Sequence, residues 1–255
     1  MSEIRVALAS LSGEADAAWA QAAADYADAA FLGGIALDEQ TRDAARAMVD
    51  RDREEFLPDD PVAFVDDQLD GLSDTAIKGG FNVRSATLDP LRDVAAVCRD
   101  HDAIVEINAH CRQDEMCAAG CGQQLLSDTD RLREQVAAAA DTGASVSVKV
   151  RAEVPDVALP EVAEVVSTAG ADYIHVDAMD SEAVVAAVAQ ASDAAVIANN
   201  GVRDEASVTE YLEYGADAVS VGRPSDKPAV LARVRDATRA WFEERPEPPS
   251  REPNP

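Results

Sequence analysis

The sequence predicts an α/β fold, a single (β/α)8 barrel that takes up nearly the whole chain. Three observations predict it. Strand-like and helix-like segments alternate, the strand-like ones are mostly apolar, and 255 residues suffice for one sizeable core. Strands are expected over residues 4–9, 31–35, 77–83, 103–107, 145–150, 173–176, 195–198 and 218–221. Helices are expected over 14–29, 38–50, 91–99, 129–140, 159–168, 181–191, 205–214 and 228–242. The stretch 51–75 is irregular and acidic, with a short helix at 61–69. Eight such units fit a closed TIM barrel of one domain, residues 1–242, better than an open sheet. From Glu243 the chain reads EERPEPPSREPNP, which cannot continue a helix, so 243–255 is expected to be a disordered acidic, Pro-rich tail.

Composition narrows the setting. Hydrophobic residues make up 47%, which excludes a disordered chain. No apolar run approaches the ~20 residues of a membrane span, and the N-terminus lacks a signal-peptide pattern. A cytoplasmic protein without membrane contact is expected. Lys and Arg number 22 against 49 Asp and Glu, a net charge of −27, and only Lys78, Lys149 and Lys227 are lysines. An acidic, Lys-poor, Ala-rich chain resembles the proteins of salt-loving archaea, because molar salt screens self-repulsion. Cys98, Cys111, Cys117 and Cys121 read as thiols or ligands rather than disulfides in that compartment.

The active end of such a barrel lies at the C-terminal ends of its strands, and unusual residues gather there. In SVSVKVR, residues 145–151, period two places Lys149 opposite the valines at the strand's end. It is either paired with a neighbouring Asp or faces a bound anion or an electron-rich ring. In DYIHVDA, residues 172–178, His175 is either a satisfied core histidine or a donor to a ligand carbonyl. Strands seven and eight each end in a Gly turn, Asn200-Gly201 and Gly222-Arg223. Backbone N–H groups there form a phosphate site, with Arg223 a charge-assisted donor. Strand four runs into VEINAHCRQDEMCAAGCGQQLL, where Asn108, His110 and Cys111 follow directly. A thiol beside His110 and Arg112 can be an acid, a nucleophile or a ligand. The spacing of Cys111, Cys117 and Cys121 permits a metal or iron–sulfur cluster but matches no strong pattern, so no metal is expected. Arg84, Arg112, Arg151 and Arg203 lie near strand ends and offer a local phosphate patch.

As a set these residues resemble the tRNA-dihydrouridine synthase family, in particular a shorter archaeal branch of its flavin barrels. Asn108, Cys111, Gly122, Leu125 and Leu126 follow the family's Asn, Gly-Cys-Pro, Gly and Leu-Leu order. Lys149-Val150-Arg151 matches its Lys-x-Arg and His175 its strand-six His, while Asn200-Gly201 and Gly222-Arg223 match its phosphate turns. ALASLSG places Ala9, Ser10 and Leu11 against the flavin, and Asn82 stands at a flavin-contacting position. The resemblance implies an FMN-dependent oxidoreductase, with NADPH or NADH as donor, that adds hydride to C6 of a uracil ring. Cys111 would protonate C5, Lys149 and His175 would hold the flavin's polar edge, and Asn108 would bind beside flavin and uracil.

The departures are specific. His110-Cys111-Arg112 replaces Gly-Cys-Pro, and Val176-Asp177 follows His175 where the family has Gly-Arg. No counterpart of the family's C-terminal helical tRNA-binding domain is expected. Three other functions therefore stand beside a tRNA substrate: reduction of a free pyrimidine, as in dihydropyrimidine or dihydroorotate dehydrogenases; a non-redox barrel binding a phosphorylated metabolite; and a non-enzymatic RNA-binding scaffold.

Overall fold

The computed structural model describes residues 4–245. The strands are β1 (Val6–Leu8), β2 (Ala29–Ala36), β3 (Lys78–Arg84), β4 (Ile104–Asn108), β5 (Ser145–Arg151), β6 (Tyr173–Asp177), β7 (Ala195–Asn199) and β8 (Ala218–Val221). All pair in parallel and in sequence order, and β8 closes on β1 through Val6↔Val219. The result is the expected single (β/α)8 TIM barrel. Helices α1 (Ala17–Ala22), α2 (Glu39–Val49), α3 (Pro61–Asp70), α4 (Leu88–Asp100), α5 (Asp114–Ala118), α6 (Gln124–Ser127), α7 (Thr129–Ala140), α8 (Leu159–Thr168), α9 (Val184–Ala191), α10 (Glu205–Glu213) and α11 (Pro228–Glu244) surround it.

Alternation along the strands builds two cores. Val146, Val148 and Val150 of β5, with Ile174 and Val176 of β6, face the helices. Ala7, Ala29, Phe31, Ile104, Ile197 and Ala218 fill the lower barrel. Above Phe31 the interior changes character: Asn82, Glu106, Ser147, His175 and Ser220 are all buried inside it. A barrel interior is ordinarily filled by branched apolar side chains, so this polar layer marks the site end.

Part of the acidic composition has a structural use. Asp16, Asp38, Asp60, Asp128 and Asp204 each accept a backbone N–H at a helix start, which satisfies donors the helix leaves free. Asp38 also accepts from Ser85 Oγ at 2.9 Å and Ala86 N at 2.5 Å, tying the turn after β2 to the turn after β3. Burial works against this carboxylate, yet those hydrogen bonds hold its pKa below the usual range.

The helix expected over 14–29 is the largest difference from the sequence reading: only Ala17–Ala22 is α-helical. Asp28 is needed below β1, where its carboxylate accepts from the N–H groups of Arg5 and Val6, both at 2.9 Å. Ala29 already belongs to β2. Tertiary pairing thus overrides the helix propensity of an alanine-rich stretch. The last helix runs two residues further than expected, to Glu244, so the tail expected from Glu243 begins in helix and its remainder from 246 lies outside the described residues. Among the described residues no helix is long and apolar enough to cross a membrane.

Candidate active site

A cavity of about 420 Å³ opens at the C-terminal ends of the strands. Its floor and one side come from β1 and β5, through Ala9, Ser10, Leu11 and Lys149, and its far end from Asn200, Gly201, Gly222 and Arg223. These eight residues, all singled out in the sequence, therefore meet in one place. Gly201 has φ +67°, which glycine adopts without the Cβ penalty. A Cβ on Gly222 would meet nothing within 4 Å, so the turn opens onto free space. Arg223 starts the short 3-10 turn Arg223–Asp226 and is exposed at the rim.

Lys149 is 3% exposed, and its ammonium donates to Ser10 Oγ at 3.3 Å. Burial lowers its pKa, opposed by the carboxylates of Glu106 and Asp177. An ammonium has three donors, and the cavity wall is where the others can reach a ligand.

His175 takes the other course. It is fully buried beneath the cavity, with Nδ1 2.8 Å from Glu106 Oε2 and Nε2 2.7 Å from Ser220 Oγ. Both ring nitrogens are engaged by protein, the satisfied-core arrangement. Burial pushes its pKa down, against the pull of Glu106. Asn82 and Asn108 are buried too: Asn108 Nδ2 donates to Asn82 Oδ1 at 2.8 Å. The backbone N–H of Cys111 in turn donates to Asn108 Oδ1 at 2.9 Å. Cys111 is half-buried at the top of β4.

The other thiols are set apart. Burial pushes Cys98 and Cys121 up to about 12, so they keep their protons. Cys117 Sγ lies 3.7 Å from the carbonyl of Cys111. Among the described residues no three His, Cys, Asp or Glu side chains gather as a metal cage.

The four arginines do not form a patch. Arg84 and Arg151 are buried. Arg84 Nη1 is 2.6 Å from Glu55 Oε2, the two side chains being 2% and 1% exposed. Burial opposes the Arg84 cation, but Glu55 carries its pKa upward. Only Arg112 and Arg203 of the set face solvent.

Two features were not legible in advance. Glu106 stands inside the barrel among Asn82, Ser147 and His175; the period-two alternation that singled out Lys149 applies equally to Ile104, Glu106 and Asn108 of β4. His110 Nε2 lies 2.6 Å from Asp177 Oδ2, and both side chains line the cavity. Burial lowers the pKa of His110. Burial would raise that of Asp177, but the hydrogen bond with His110 holds it low.

Comparison with known proteins agrees with this fold. An uncharacterized protein of Methanocaldococcus jannaschii is 27% identical over 233 residues, covering 86% of this chain and 88% of the relative. A mutant tryptophan synthase alpha-subunit from Pyrococcus furiosus superposes with a TM-score of 0.58 at 14% identity, over 96% of this chain and 97% of that one. A FabK mutant from Thermotoga maritima superposes with a TM-score of 0.55 at 15% identity, over 86% of this chain and 61% of that one. Such low identities show the barrel fold alone. Residues 83–253, more than half of the chain, match the dihydrouridine synthase (Dus) family, and the chain belongs to that family.

Proposed function

We propose that this protein is an FMN-dependent oxidoreductase that reduces the C5–C6 double bond of a uracil ring. The observation that carries the reading is the buried ammonium of Lys149 at one end of a cavity whose other end is the paired turns at Gly201 and Gly222. That is a cation under a ring site and a backbone cradle with Arg223 for a phosphate. The volume falls within the range of cofactor sites, and the open space at Gly222 fits a phosphate approaching the backbone. FMN, when bound and reduced by NADPH or NADH, supplies the hydride for C6.

The chain's own groups do the rest. Ala9, Ser10 and Leu11 form the wall against the ring, and Lys149 holds negative charge at its polar edge. Asn82 and Asn108 lie beneath the Cys111 turn. The Cys111 thiol delivers the proton to C5, its S–H serving as the general acid. His175, engaged on both nitrogens, contributes by shaping the floor. The substrate is uridine in tRNA or a free pyrimidine. The second is favoured by one observation: Asp177, an ionised carboxylate, lines the cavity beside His110, and a polyanion meets repulsion there.

The test is a visible absorption spectrum of the protein purified in high salt, then denatured to release any chromophore. Released FMN supports the reading. A colourless protein that takes up no added FMN overturns it and leaves a non-redox phosphate-binding barrel. NADPH oxidation with unmodified tRNA, against uracil and uridine, then decides the substrate.

A further inference from the structure

Glu106 is a buried carboxylate with no part in the reading above. It has no solvent exposure, and as an ion it can only accept. Three strands donate to it. Asn82 Nδ2 of β3 reaches Oε1 at 2.7 Å; Ser147 Oγ of β5 and His175 Nδ1 of β6 reach Oε2 at 3.1 Å and 2.8 Å. Burial would raise its pKa, but His175, Lys149 and Asn82 hold it low.

Asn82 and His175 then each have one direction left for the remaining polar atom. Asn82, with its nitrogen on Glu106, turns Oδ1 to Asn108, whose Nδ2 donates at 2.8 Å. Asn108 therefore presents Oδ1 outward, where it accepts from His110 N at 3.1 Å and Cys111 N at 2.9 Å. On the other side, His175 with its proton on Nδ1 leaves Nε2 to accept from Ser220 Oγ at 2.7 Å. Ser220 accepts from Asn199 Nδ2 at 2.8 Å. Two chains of donors thus start at the Cys111 turn and at Asn199, next to the phosphate turn, and both end on one carboxylate.

We propose that Glu106 is the positioning residue of this site: its carboxylate sets the direction of both hydrogen-bond chains and so fixes the Cys111 turn and the Asn199 wall relative to each other. A glutamine of the same shape accepts on one side only. Its NH2 faces a donor on the other, so one chain must reverse or break. The assignment rests on the flavin reading for its binding readout alone.

The experiment uses the full chain labelled with 15N-histidine, in high salt. Two-bond 1H–15N correlation is recorded without added flavin, and FMN affinity is measured by fluorescence quenching. His175 is expected neutral, with its proton on Nδ1. E106Q is expected to weaken FMN about tenfold, the effect of losing one hydrogen bond to a charged group. Ser220→Ala, which cuts only the outer link of one chain, should leave the Nδ1 proton in place, and it serves if E106Q does not fold. A wild-type His175 protonated on Nε2, or E106Q binding FMN as the wild type does, overturns the proposal. An Nδ1 proton in a protein that binds no FMN supports the Glu106 assignment and sinks the flavin reading.

Discussion

A Cβ on Gly122 would lie 2.1 Å from the carbonyl oxygen of Cys111. Gly122 has φ +62°, and the next residue, Gln123, donates its N–H to that carbonyl at 2.8 Å. The bare Gly122 backbone therefore lets the chain after α5 close under the thiol. Gly122→Ala must push the Cys111 turn away, besides costing about 1 kcal/mol for an alanine at positive φ. Turnover is expected to fall at least about tenfold, because a proton donor displaced by about 1 Å is poorly placed. FMN content should be retained. Single-turnover reduction of substrate against bound flavin absorbance checks both.

Cys111→Ala removes the proposed proton donor and leaves the cavity walls at Lys149 and the two glycine turns intact. Flavin should stay bound and kcat should fall by about 10²–10⁴, the usual weight of a general acid. Equal activity in variant and wild type would remove Cys111 from the mechanism.

Lys149→Ala takes away the only ammonium on the cavity wall among the described residues and leaves Glu106 and Asp177 without it. The dissociation constant for FMN is expected to rise about tenfold or more, as for loss of a hydrogen bond between charged partners. Unchanged affinity and unchanged flavin reduction would defeat the reading of β5.

Glu55→Ala leaves Arg84 charged and buried without its partner, which typically costs about 3–5 kcal/mol. Urea unfolding at high salt measures it. The double variant Glu55→Leu, Arg84→Met should lose less, because no unpaired charge remains.

These residues show how far the sequence reached. Lys149 was legible because one strand's alternation suffices to place it at the barrel's end, and the Gly201 and Gly222 turns because each sits at its own strand end. Glu106 was not, although it obeys the same alternation, because an acid in the interior is tolerable only through donors from β3, β5 and β6. No single segment records that convergence. The Glu55–Arg84 pair was equally hidden: its partners are 29 residues apart, one of them in a stretch with no regular period. His175 was placed correctly in its strand, but its two protein partners, Glu106 and Ser220, come from strands remote in sequence, so only the fold distinguishes a satisfied imidazole from a free one. The short helices α5 and α6 fall in the same class, since packing of Met116, Leu125 and Leu126 holds segments too short to be stable alone.

Two buried imidazoles should give the protein a specific response to acid. The pKa values of His110 and His175 are both lowered, with burial the largest cause. Below about pH 6.5, the ordinary histidine value, the unfolded chain takes up protons that the folded chain refuses. Their contribution is therefore constant above that pH and is lost as pH falls below it. Asp38, Glu106 and Asp177 have lowered carboxyl pKa values. Their stabilisation is present above about pH 4 and is lost as pH falls through the folded values. At high salt, where the −27 charge is screened, Tm is expected to decline in two stages on acidification. In His110→Asn the first stage should shrink, since only His175 remains to refuse a proton. A wild-type Tm that holds level from about pH 8 down to pH 5 would mean that folding does not lower the histidine pKa values, and a Tm that rises over that range would mean that the His110–Asp177 contact is an ordinary ion pair.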